Sequence, residues 1–495
     1  MLTSTSRWYA LAAMALSTLA VGLDTTVLSV ALPTLARDLG ASTGDLQWFT
    51  TAYLLVLAAA LMPAGLLGDR FGRKRMLIGA LLLFGVASVA CAYAQTSGQL
   101  IAARAVLGLG AAVIMPLSGA VLTVLFDAKE RSRAMSIWVT ASALGIPLGP
   151  LLGGWLLDNF WWGSVFLINV PVVIAGVVAL VLWLPESYGT RSPIDVGGIV
   201  LSAAGLVGVT YGIIEAGERG WSDVRSLATV AAGLALLAAF VLWQRRAAHP
   251  LVDLALFRNR AFTGGAVLAT IASFAMLGLL FSLPQLFSAV DGEDAFGSGL
   301  RLLPVIGGLI VGARFGEKLA KRLGARVVIA TGLGLIAVAS LVGARTGADT
   351  GYGYIAVWIT VTGLGLGLTL PPALDAAIGA LTPAGAGVGN ALLQAMRQVG
   401  GAIGVAVLGT VLNSAYRSRV DVEAARESVN QGVAVAQRLG DAGLLASVRE
   451  AFVYGMDRSL LVAGALALVG AVLALAVMPR RAAEPHPEVL AESLL

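Results

Sequence analysis

Fourteen long apolar runs set the terms for this 495-residue chain. A helix that crosses a bilayer needs roughly 17–25 mostly apolar residues. Such runs lie near 8–34, 46–68, 76–94, 99–125, 134–157, 164–184, 196–215, 226–243, 262–289, 297–318, 326–344, 353–379, 386–412 and 457–478. Backbone groups in lipid must find partners within their own segment, which leaves helices as the open spanning structure. Charged residues make up 12% of the chain, about half the share of a soluble globule. The expected fold is an all-α, multi-pass membrane protein.

Lys and Arg orient the spans. One side of the membrane receives Arg7, Arg70, Arg73, Lys74, Arg75, Lys129, Arg131, Arg133, Arg245, Arg246, Lys318, Lys321, Arg322, Arg326, Arg480 and Arg481. The short loops opposite receive few basic residues, among them Arg37, Arg219, Arg301 and Arg345. The basic side is expected to be cytoplasmic and to hold both termini. The first apolar run is read as a first transmembrane helix rather than a signal peptide, because so many similar runs follow it. The net charge of +5 is scattered over short loops, which argues against a nucleic-acid partner and for contact with the bilayer. One cysteine, Cys91, excludes an internal disulfide, and with only His249 and His486 no metal site is expected. The segment near 413–456 is external yet charged, and Val422, Ala425, Val429 and Val433 give it an amphipathic pattern. It is expected to form one or two helices on the outer surface.

The chain repeats itself weakly. "GLLGDRFGRKRMLIGA" (65–80) and "EKLAKRLGARVVIATG" (317–332) align Arg70 with Arg322 and Gly72 with Gly324. Each joins the second and third span of a six-span unit. The plan is therefore 6+2+6: a bundle over 1–190, two linker helices over 191–250, and a second bundle over 251–495. Parallel halves of this kind are a transporter architecture.

Three stretches carry more than topology. In "GLLGDRFGRKR", Gly65 and Gly68 allow close helix approach and Gly72 a tight loop. Asp69 is placed to sit at the positive start of the third helix, or to pair with Arg73 or another helix end. Such a contact, with Arg70 beside it, suits a gate made in one conformation and broken in another; a basic loop that merely stays inside is the simpler reading. In "RAVLGLGAA", Arg104 lies inside a span, where a charge costs about 2.5–3.5 kcal/mol on insertion scales. It implies a carboxylate or a wet cavity nearby, or snorkelling to the surface. In "GIPLGPLLGG", Gly145, Gly149 and Gly153 clear one helix face for a neighbour, Pro147 and Pro150 bend the helix, and Gly154 follows.

Taken together with "LDTTVLSVALP" in the first span, "FLINVP" (166–171) and "RQVGGAIGVAVLG" (397–409), these stretches make the chain resemble the 14-helix drug:proton antiporters of the major facilitator superfamily. The resemblance covers essentially the whole sequence. It implies the major facilitator fold, export of lipophilic cargo against inward proton flow, and no cofactor. In that family the glycine–proline stretch in the fifth helix marks exporters rather than importers. It also suggests a bacterial cell membrane and a monomer. Nothing in the sequence supplies a nucleotide-binding motif or a matched set of catalytic groups, so an enzyme is not expected.

Asp24 is the residue on which a mechanism would turn. It lies about two-thirds along the first span, where an ionised carboxylate should face a cavity. Loss of water favours its protonated form, and a nearby cation such as Arg104 favours the ionised form. A group that accepts either a proton or a cationic drug couples the two. Asp375, after "LTLPP", is the second candidate, for coupling or for helix-end packing. Glu215 and Asp158 read as solvated helix ends. Helix ten, with Arg314, and helix thirteen, with Gln394 and Arg397, lack the acids some relatives carry there, which favours monovalent or lipophilic cations over divalent ones. Tyr53, Met115, Trp138, Phe274, Phe281, Gln285, Asn390, Gln394 and Arg397 are possible cavity residues. An exporter of a metabolite that the cell makes itself is the alternative function.

Overall fold

The computed structural model describes residues 4–126, 128–189, 193–381 and 386–479. Its described residues are helical and joined by short connections. We number the helices in chain order: α1 Ser4–Asp38, α2 Thr43–Phe71, α3 Arg73–Ala92, α4 Ser97–Leu125 and α5 Ala128–Asn159. Next come α6 Ser164–Trp183, α7 Val196–Arg219, α8 Val224–Gln244, α9 Arg260–Val290, α10 Ala295–Leu323 and α11 Ala325–Gly343. The last are α12 Tyr352–Ile378, α13 Ala386–Arg417, α14 Val429–Leu439 and α15 Ala442–Val477.

Thirteen of these helices are long and apolar enough to cross a membrane. The remaining long one, α5, has 32 residues, or about 48 Å at 1.5 Å per residue, and packs along α1. With it there are fourteen spans, as expected. The short α14 is amphipathic and spans nothing. Side chains start many helices: Ser42 and Asp45 form a reciprocal cap on α2, and Thr96, Asp195, Asp223, Asn259, Asp294 and Asp441 each accept a backbone N–H of the helix that follows. Such caps satisfy donors that a helix leaves without partners.

The same packing scheme occurs twice. In the first six helices α1 lies against α5 and α6, α4 against α2 and α3, and α3 against α6. In the later set α9 lies against α13 and α15, α12 against α10 and α11, and α11 against α15. The two "Gly-72-type" loops repeat as well. Gly72 has φ 102° and Gly324 φ 87°, values open to glycine and strained for other residues. In both, the glycine N–H bonds four residues back, to Gly68 and Ala320. The helices α7 and α8 pack on each other, and α7 also packs on α2 and α13.

The helix ends define two faces. The basic end carries the loops at 72 and 324. The opposite end, here the capped end, carries α14. The segment at the capped end is shorter than 413–456, because α13 continues to Arg417 and α15 begins at Ala442. Tyr416, buried under it, donates to Ala425 O at 2.6 Å and ties the excursion down.

Candidate functional site

Asp24 does not face a cavity. Its side chain is 0% exposed and that of Arg104 is 1% exposed. The two form an ion pair, Arg104 Nη1 to Asp24 Oδ2 at 2.5 Å. The expectation of a wetted carboxylate is therefore corrected, and of the readings for Arg104 the carboxylate partner is the one found. The second oxygen, Oδ1, accepts from Asn169 Nδ2 at 3.3 Å, and the same amide donates to Ser88 Oγ at 3.3 Å. Arg104 Nε donates to Phe49 O at 3.0 Å, and its guanidinium stacks 4.5 Å from the Tyr53 ring centre. Five helices thus meet at one buried polar cluster.

Small residues make that meeting possible. A methyl carbon placed on Gly108 would lie 2.6 Å from Tyr53 O, so its absence lets α4 close on α2 and brings Arg104 to Phe49 and Tyr53. On the other side, a methyl on Gly145 would lie 2.7 Å from the Gly22 backbone, one on Gly149 2.9 Å from Thr26 Cβ, and one on Gly153 against Val27. Thr26 Oγ1 donates to Gly145 O at 3.0 Å. The glycine stripe of α5 therefore brackets Asp24 along α1. The second half repeats the device with α13 and α9, where Gly400 abuts Thr270 and Gly404 abuts Phe274.

Gly154 and Pro150 act elsewhere. A methyl on Gly154 would lie 2.6 Å from Ala295 O and from Phe296 Cα, and one on Gly299 2.5 Å from Pro150 O. This is where α5 meets the first turn of α10, across the two halves. Asp158, read from sequence as a solvated end, is exposed but bonded: it accepts from Ala295 N at 3.2 Å and Phe296 N at 2.9 Å. Glu215 pairs with Arg219 within its own helix.

The loop after α2 is wired within the first half. Arg73 grips Asp69 through Nε at 2.9 Å and Nη2 at 2.8 Å. Asp69 does not cap α3. Glu186 does, accepting from Lys74 N at 2.9 Å and Arg75 N at 3.3 Å, and Gly72 leaves room for its carboxylate. Gly68 lies against Leu117, as expected for close approach, whereas Gly65 faces open space, so its expected role is not found. Arg70 is exposed, 5.6 Å over the Phe71 ring.

Asp375 is exposed at the basic end of α12 and lines a pocket of about 230 Å³ with Glu317, Lys321, Pro372 and Met478. It is not brought together with Asp24. Of the possible cavity residues, Tyr53, Phe274, Phe281 and Gln285 are buried, Met115 and Trp138 are half-buried, and Asn390 is exposed. Gln285 bonds within its own helix, to Phe281 O. Arg397 is half-buried on α13 and donates to Gln394 Oε1 at 2.9 Å and Ser273 Oγ at 3.5 Å. No carboxylate pairs with it among the described residues.

Sequence reasoning missed three groups. Asn169 lies within "FLINVP", and an amide inside an apolar run is its signal. Glu186 lies in a loop, where an acid carries no signal. Asp457 stood at the edge of an expected span, yet α15 begins earlier and places it mid-helix, half-buried, with one oxygen lacking a partner.

A model of the Major Facilitator Superfamily matches residues 14–405. The chain belongs to this superfamily. Relatives along its whole length agree. The tetracenomycin C resistance and export protein of Streptomyces glaucescens is 34% identical over 97% of this chain and 93% of its own. The multidrug efflux pump LfrA of Mycolicibacterium smegmatis is 34% identical over 95% and 96%. The methyl viologen resistance protein SmvA of Salmonella typhimurium is 31% identical over 94% and 97%. Among solved structures, an inward-facing, unoccupied bacterial homolog of the human lysosomal transporter Spinster superposes with a TM-score of 0.69 at 17% identity, covering 96% of this chain and 97% of that one. A D-xylose–proton symporter superposes at 0.65 and 15%, covering 96% and 98%. At such identities these two speak for the fold alone. The chain is a multi-pass membrane protein of a transporter family.

Proposed function

We propose that this chain is a proton-coupled antiporter that exports lipophilic, chiefly cationic, drugs or antiseptics from the cytoplasm by alternating access. The observation that carries the reading is the buried Asp24–Arg104 pair between α1 and α4, on an α1 that packs on the glycine stripe of α5 through Gly22, Thr26 and Val27. A proton on Asp24 makes the acid neutral and leaves Arg104 as an uncompensated charge. Breaking a buried pair in this way costs about 3–5 kcal/mol, enough to bias two packings of the halves. One pH unit supplies about 1.36 kcal/mol per proton, and 100 mV about 2.3 kcal/mol per charge. Because Asp24 is sealed here, cargo and proton compete through this pair rather than on an open carboxylate in the present state.

In this reading the basic end is cytoplasmic and holds both termini, residues 1–190 and 251–495 are the bundles that rock, and the protein works as a monomer without a cofactor in a bacterial cell membrane. The hydrogen bonds that cross the halves at the capped end, Asp158 to Ala295 and Phe296 and Gln47 to Val405 and Ala406, fit an outer side that is closed. Asp69, Arg73 and Glu186 then await partners on the second half. One relative is named for multidrug efflux, and another for resistance to methyl viologen, a cation, in keeping with cationic cargo. A second reading, export of an antibiotic the cell makes itself, draws on the tetracenomycin C relative and on Arg397, whose unpaired charge favours cargo with a hydrogen-bond acceptor.

Everted vesicles test the main reading. Energised, acid-inside vesicles should accumulate a fluorescent cation, and collapse of the gradient should stop them. Asp24→Asn should abolish accumulation in a protein that still folds. Accumulation by that variant at the unaltered rate would overturn the assignment.

A further inference from the structure

We propose that Asn169 is the positioning residue of the Asp24 carboxylate: its amide, shared between Asp24 and Ser88, sets the pH at which the Asp24–Arg104 pair opens. The inference rests on the reading of Asp24 as the coupling group and names a residue that tunes it.

Asn169 is 1% exposed. It resumes α6 after a one-residue break at Ile168, and Pro171 follows two residues later. A buried amide in a span stays only where its donors are used, and here Nδ2 serves two acceptors on two other helices. The oxygens of Asp24 are thereby divided: Oδ2 to the guanidinium of α4, Oδ1 to the amide of α6. A hydrogen bond to the ionised form favours that form. The other groups at the site are set. Around the pair, α2 offers the Phe49 carbonyl and the Tyr53 phenol, α3 the Ser88 hydroxyl and the nearby Cys91 thiol, and α4 the charge of Arg104. From α5 the Gly145 stretch meets the backbone of α1, and α9 brings the apolar Met276, Leu279 and Leu280 beside Thr26. Asn169 is thus the neutral donor on Asp24; its amide carries two N–H groups, one for Asp24 and one for Ser88, so Ser88 anchors the amide in the plane that reaches Asp24.

Two variants that disturb this arrangement therefore share one sign. Asn169→Leu keeps the volume and removes the donor, so protonation of Asp24 becomes easier and the transition moves to higher pH. Ser88→Ala removes the second anchor of the amide and loosens its hold on Asp24, so the transition moves the same way by less. The shift expected for one modest hydrogen bond is roughly 0.5–1 pH unit.

The experiment is thermal melting of the purified full-length protein against pH, with the curve of Asp24→Asn subtracted to isolate Asp24. The ionised pair stabilises the fold, so the difference falls as pH falls. The expected result is a fall displaced alkaline in Asn169→Leu and, by less, in Ser88→Ala. If the difference exists but Asn169→Leu leaves its midpoint in place or moves it acid, the role of Asn169 is overturned while that of Asp24 stands. If wild type and Asp24→Asn superimpose at every pH, the reading of Asp24 falls and takes this inference with it. Should Asn169→Leu not fold, the midpoint in Ser88→Ala decides the matter: an alkaline shift supports the role of Asn169, and an unmoved or acid-shifted midpoint overturns it.

Discussion

The two seams between the halves are built differently. Between α2 and α13, Gln47 is fully buried and its Nε2 donates to Val405 O at 3.0 Å and Ala406 O at 2.8 Å. The linker helix α7 lies over this seam: Thr410 Oγ1 donates to Ile213 O at 3.0 Å, and Ser42 Oγ to Glu218 Oε1 at 3.1 Å. Between α5 and α10 the contact is the last turns of one helix against the first turn of the other, through Gly154, Gly299 and the Asp158 cap. A seam fastened by buried amides and covered by further helices loses more on parting than one made of glycine contacts at a helix tip. The first is suited to act as a hinge, and the second to part.

That contrast can be broken most directly at Gly154. Gly154→Leu would drive a side chain into the α10 backbone, and overpacking of this kind costs roughly 1–3 kcal/mol. Cation accumulation in vesicles should fall about tenfold or more, while detergent melting changes little because the protein relieves the clash by settling with this seam open, and Gly65→Ala, in open space, should behave as wild type. Normal accumulation by Gly154→Leu would mean that this seam does not need to close. On the other seam, Gln47→Leu should lower stability by about 1 kcal/mol, seen in melting, with a smaller loss of accumulation. A reversed order of the two effects would reverse the assignment of hinge and gate.

The smallest effect concerns the anchor of the linker helices. Asp195 accepts from Gly198 N at 2.8 Å, Trp243 Nε1 at 2.8 Å, Gln244 Nε2 at 2.7 Å and Leu251 N at 3.3 Å. Burial works against its charge, but these donors prevail and hold its carboxyl below the ordinary range. A depressed folded value contributes stability above the unfolded value, and that contribution is lost as pH falls through the folded one. The melting advantage of wild type over Asp195→Asn should therefore be full at neutral pH and vanish in acid. An advantage that is flat with pH would detach Asp195 from the clasp.

Much of this was legible in the sequence because membranes punish exceptions. Fourteen spans follow from hydropathy, and Arg104 inside one of them announces a partner. The stripe at Gly145, Gly149 and Gly153 announces a close neighbour. Helix rotation and the pairing of halves are not written in hydropathy. Asp24 was therefore expected in water when it lies in a dry seam, and Gly65 was given a contact that its face of α2 does not make. Asn169 escaped notice because a neutral amide barely interrupts an apolar run. The capping roles of Glu186 and Asp158 are not legible because their partners are backbone N–H groups brought close only by folding.

Cys91 is the one cysteine of the chain and is wholly buried. A thiol introduced at the surface would thus be the sole site open to a spin label or fluorophore. Pairs of such probes, one set astride α5 and α10 and the other astride α2 and α13, would turn the two seams into rulers read in ångströms as the gradient is switched on.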